Sequence, residues 1–84
     1  MEIEVSSIEN QVRELIIEVL KLPADIMISS FDSDNIPAWD SMGHMQLIIK
    51  LESVFSCEFS RNNVPLITSE KAIVKELKAL LLEQ

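Results

Sequence analysis

The chain has one glycine, three prolines, one cysteine and one histidine in 84 residues. So little glycine and proline argues for helices over a turn-rich β fold. A lone cysteine excludes an internal disulfide and fits a reducing cytoplasm. One His and one Cys are too few ligands for a metal site of the usual kind. Seven basic residues against fourteen acidic ones leave a net charge of −7. That deficit argues against nucleic acid and anionic membrane surfaces, both of which select basic patches. No apolar run approaches the length of a membrane span. Met1-Glu2-Ile3-Glu4 lacks the charged-then-apolar pattern of a signal peptide. These absences predict a soluble cytoplasmic domain.

What is present is apolar patterning. Apolar residues make up 48% of the chain, enough for a modest core in one domain spanning 1–84. Ser6 and Glu9 have the spacing of a capping box, and Ile8, Val12, Leu15, Ile16, Val19 and Leu20 recur at helical spacing. A first helix is expected over 8–21, stopped by Leu22-Pro23. Residues 22–40 are aperiodic, with Pro23, Pro37 and the turn chemistry of Phe31-Asp32-Ser33-Asp34-Asn35. Ile26, Ile28, Phe31, Ile36 and Trp39 predict that this long loop is packed down rather than free. Phe55, Cys57 and Phe59 alternate with Ser56, Glu58 and Ser60, the pattern of an extended connector dropping alternate side chains into the core. A short helical turn is expected within Arg61–Leu66. A last helix is expected over 69–83, capped by Thr68, with Ile73, Leu77, Leu80 and Leu81 inward and Lys71, Lys75 and Lys78 on its polar side.

The informative stretch is Trp39-Asp40-Ser41-Met42-Gly43-His44-Met45, running into Gln46-Leu47-Ile48-Ile49-Lys50-Leu51-Glu52-Ser53-Val54-Phe55. Asp40 or Ser41 suits an N-cap, since a short side-chain oxygen accepts from the orphan N–H groups of a first turn. At helical spacing His44, Leu47, Ile48, Leu51 and Phe55 form one stripe, and Met42, Met45, Ile49 and Glu52 form a second. A helix apolar on more than one side is central to its domain or keeps one stripe for a partner.

Asp40-Ser41-Met42 at a helix start resembles the phosphopantetheine attachment region of acyl and peptidyl carrier proteins. So do Leu51-Glu52 ten residues past the serine, the following Phe55 and the length of the chain. The resemblance implies an all-α four-helix bundle, with three main helices, one short one and a long loop between helices 1 and 2. It further implies that the Ser41 hydroxyl carries 4′-phosphopantetheine from coenzyme A through a phosphodiester. That group would sit at the positive end of the helix macrodipole. Asp40 is expected to orient the serine and assist the attaching enzyme's metal site, and Gly43 to leave room for the arm. Met42, Met45 and Ile49 are expected to contact partners: a phosphopantetheinyl transferase, an acyl- or aminoacyl-loading enzyme, and a downstream synthase or transferase. The chain would then be a monomeric carrier and no enzyme, since the reactive thiol belongs to the cofactor.

One departure narrows the resemblance. Fatty-acid carriers have several acids along this helix, where this chain has only Glu52, with Gly43, His44, Gln46 and Lys50 in their stead. The pattern is closer to free-standing carriers of polyketide or nonribosomal-peptide-type biosynthesis. It is also close to the D-alanyl carriers of cell-wall modification, which share Asp-Ser-Met-Gly. A cofactor-free helical adaptor using Met42, Met45 and Ile49 is the rival of another class. A hydrolase using Ser41 and His44 has no pocket or oxyanion hole in its favour. His44 reads instead as a partly buried histidine, Cys57 as a small apolar filler and Trp39 as an anchor for the loop.

Overall fold

The computed structural model describes residues 5–26 and 31–82. Three helices, α1 (Val5–Val19), α2 (Ser41–Phe55) and α3 (Glu70–Leu82), are joined through one 3-10 turn at Val64–Leu66. The expected short helix is that single turn, and no strand forms among the described residues. One isolated bridge pairs Asp32 with Ser69. Among the described residues no helix is long and apolar enough to cross a membrane.

Each helix places two side chains, one turn apart, at complete burial: Val12 and Ile16, Leu47 and Leu51, Ile73 and Leu77. An i, i+4 pair stacks on one face of a helix, and these three pairs belong to one buried cluster. α1 is the shared element, packing on both α2 and α3. α2 is therefore not central, and one of its two apolar stripes has no helix to cover it.

The ends of the helices differ from the sequence expectation. α1 is described from Val5, so Ser6 lies within the helix and not at its cap; the Ser6 side chain is outside the described residues. α1 stops before Leu22-Pro23, because Lys21 takes a left-handed conformation at φ 55°. Leu22 N–H then donates to Ile17 O at 2.9 Å and Lys21 N–H to Glu18 O at 3.3 Å, a Schellman ending. Ser56 ends α2 in the same left-handed region at φ 52°, with Cys57 N–H donating to Glu52 O. α3 is capped by Ser69, not Thr68: Ala72 N–H donates to Ser69 Oγ at 3.1 Å. Thr68 is occupied otherwise, its carbonyl accepting from Ser33 N–H at 3.0 Å.

The loop between α1 and α2 is packed down, as expected. Phe31, Ile36 and Trp39 are buried and Ile26 is half-buried, while Ile28 lies outside the described residues. Phe31 O accepts from Glu70 N–H at 2.7 Å, tying the loop to the start of α3. Arg13 of α1 closes the same corner. Its guanidinium pairs in a two-bond fork with Glu70, both at 2.7 Å, and lies 4.7 Å from the centre of the Phe31 ring. The Glu70 hydrogen bond raises the Arg13 pKa against the opposing effect of burial. The connector after α2 also reads as expected, with Phe59 buried, Cys57 half-buried and Ser56, Glu58 and Ser60 exposed.

Candidate functional site

The first turn of α2 is built by Asp40. Its backbone is extended (φ −94°, ψ −170°), its Oδ1 accepts from Gly43 N–H at 2.8 Å, and its carbonyl accepts from His44 N–H at 2.8 Å. Asp40 is thus the N-cap, and Ser41 is the first helical residue. Ser41 is exposed and its hydroxyl makes no hydrogen bond to a described residue. The amides of Ser41 and Met42 belong to the opening turn, where the helix itself supplies no acceptor.

Gly43 is buried, which the sequence alone did not reveal. A Cβ added there would stand 2.5 Å from the carbonyl oxygen of Ala38 and 2.9 Å from Leu20 Cδ2. The glycine therefore lets the loop lie flat against α2. The space it leaves faces inward and is already taken, so it offers no room to an arm on Ser41.

The two stripes of α2 separate cleanly. His44, Leu47, Ile48 and Leu51 are buried and Phe55 is half-buried. Met42, Met45 and Ile49 are exposed by 72%, 49% and 61%. Three large apolar side chains left in water on one helix face, beginning one residue past Ser41, form a patch of the kind that receives partners. Glu52 departs from its stripe: it is half-buried and turns back to accept from Phe59 N–H at 2.9 Å. The exposed residues of α2 are then Ser41, Met42, Met45, Gln46, Ile49, Lys50, Ser53 and Val54, with no acid among them.

Beneath this surface lies a polar relay that the residue pattern did not announce. Trp39 Nε1–H donates to His44 Nδ1 at 2.9 Å, and His44 Nε2 lies 2.7 Å from the carbonyl oxygen of Val64. An indole nitrogen only donates. Nδ1 must therefore accept, Nε2 carries the proton, and the bond to Val64 is Nε2–H donating to the carbonyl. The rings are nearly parallel, 24° apart, with centroids at 6.2 Å. The only sequence signal was a lone Trp and a lone His five residues apart across a helix start. Ser41 and His44 are not paired as nucleophile and base, because both ring nitrogens of His44 are engaged elsewhere.

Cys57 packs against the core, and burial, then the Glu52 carboxylate, push its thiol pKa up. It is a poor nucleophile at neutral pH. No group of three metal-ligating side chains exists among the described residues. Neither a scan against protein-family models nor a search of curated proteins gives a match.

Proposed function

We propose that the chain is a discrete carrier protein holding an acyl or aminoacyl group as a thioester on 4′-phosphopantetheine attached to Ser41. The observation that carries this reading is an exposed serine at the first position of α2, cap-ordered by Asp40 and bordered by exposed Met42, Met45 and Ile49. The site fits the group. Ser41 offers an exposed hydroxyl, and the first-turn amides suit a phosphodiester at the positive end of the helix. The cofactor supplies the thiol on which cargo rides. The protein's own residues do the rest: Ser41 anchors, Asp40 fixes the turn, and the Met42, Met45 and Ile49 face meets the enzymes.

Within this reading the domain is a four-helix bundle whose short third helix has shrunk to the Val64–Leu66 turn. The carrier acts as a cytoplasmic monomer and is not itself an enzyme. Its partners are a phosphopantetheinyl transferase, a loading enzyme and a downstream synthase or transferase. Asp-Ser-Met-Gly and the acid-free face of α2 favour polyketide or nonribosomal-peptide-type biosynthesis, with D-alanyl transfer in cell-wall modification as the closest variant. The exposure of the same three residues also suits a second reading, a cofactor-free adaptor that only docks.

One experiment separates the two. The folded chain, incubated with coenzyme A and a broad-specificity phosphopantetheinyl transferase, should gain one phosphopantetheine by intact mass, and Ser41→Ala should gain none. Ser41 is not the cap, so the variant should keep its helix content by circular dichroism. Modification at another serine, or none on folded wild type, would overturn the carrier reading and leave the adaptor.

A further inference from the structure

The 3-10 turn is anchored on two sides. Toward α3, Asn63 Nδ2–H donates to Glu76 Oε2 at 2.9 Å, and buried Phe59 and Ile67 hold the chain before and after it. Toward α2 the polar tie is His44, 9% exposed, whose Nε2–H binds the Val64 carbonyl. His44 is three residues past Ser41, in the turn that Asp40 caps. The turn also carries Leu66, 71% exposed, which no core position explains.

We infer that His44 is a positioning residue for the Ser41 site. Held by Trp39 on one side, it fixes the 3-10 turn against the first turn of α2, so that Leu66 joins Met42 and Met45 as one surface for the phosphopantetheinyl transferase. This rests on the reading of Ser41 as the attachment point. The chemistry demands a side chain that accepts from an indole N–H and donates to a carbonyl at once. Neutral histidine does both, a glutamine amide does both, and leucine does neither.

The test uses wild type, His44→Leu, His44→Gln and Leu66→Ala, with two readouts. The first is hydrogen exchange at the Leu66 and Ile67 amides, both bonded to Asn63 O. The second is transferase kinetics on Ser41, separated into KM for the carrier and kcat. In His44→Leu, exchange at those two amides should rise roughly fivefold to tenfold, the effect of one lost hydrogen bond. KM should rise several-fold with kcat little changed, and His44→Gln should recover both in large part. Leu66→Ala, altered only at the surface, should raise KM without changing exchange. Combined with His44→Leu it should add little, because both changes remove the same contact. If His44→Leu does not fold, His44→Gln and Leu66→Ala carry the comparison: an unchanged KM in Leu66→Ala overturns the proposal. Faster exchange with an unchanged KM in His44→Leu overturns it too, as does unchanged exchange. A wild type that is never modified removes the underlying carrier reading instead.

Discussion

At the scale of single residues, Gly43 shows how a propensity and a contact can point in opposite directions. Glycine in a helix is worse than alanine by up to about 1 kcal/mol, so Gly43→Ala looks stabilising on the sequence alone. The contact says otherwise. The new methyl would meet the Ala38 carbonyl at 2.5 Å, and a backbone oxygen in a packed loop does not yield as a side-chain tip does. Overpacking of this kind costs about 1–3 kcal/mol, and in a domain of this size each kcal/mol moves Tm by roughly 4–8 °C. Gly43→Ala should therefore melt several degrees below wild type in a thermal scan. A Tm equal to or above wild type would mean that the loop relaxes and that Gly43 is not needed for its approach. The residue types at the site were legible in advance, since Asp40, Ser41 and Met42 stand out as a triplet. The room attributed to Gly43 was not, because which way an absent side chain faces depends on where residues 20 and 38 fold.

At the scale of elements, α2 has one buried stripe and one exposed stripe, and a pair of substitutions tells them apart. Leu51 is fully buried, so Leu51→Ala should leave a cavity costing about 2–5 kcal/mol. That is a large part of the stability of a small domain. Met42 is mostly in water, so Met42→Ala should change Tm little and still slow cargo loading or transfer in the phosphopantetheinylated protein. Equal loss of Tm in both variants would make the second stripe core. Unchanged transfer in Met42→Ala would take it out of the docking surface. The two stripes were legible because helical periodicity is a local property of the chain. Helix ends were less so: Lys21 and Ser56 take left-handed conformations usually marked by glycine, and here no glycine marks them. The residue that caps α3, Ser69, also bridges to Asp32, a tertiary tie that no local pattern encodes.

At the scale of the whole molecule, the distribution of charge matters more than its total. The chain has fourteen acids and a net charge of −7, yet the exposed face of α2 displays none of them. Asp40 is exposed but its Oδ1 is engaged as the cap, and Glu52 turns inward to Phe59 N–H. Four of the seven bases, Arg13, Lys71, Lys75 and Lys78, line a groove between α1 and α3 instead. If Ser41 carries the proposed group, an enzyme approaching it would meet methionine and isoleucine, not a row of carboxylates. Enzymes of a fatty-acid elongation cycle find their carrier through basic patches, and charge complementarity of that kind sets encounter rate and specificity. They should use this chain slowly. The comparison is malonyl loading and condensation on the phosphopantetheinylated chain against a typical fatty-acid carrier, at matched concentration and over a range of salt. The fatty-acid carrier should lose rate as salt rises, because exposed charges are screened beyond about 10 Å at 0.1 M. This chain should start low and change little, since apolar contact is not weakened by screening. Equal rates at low salt, or the same steep salt dependence, would show that charge elsewhere on the domain substitutes for the missing acids of α2.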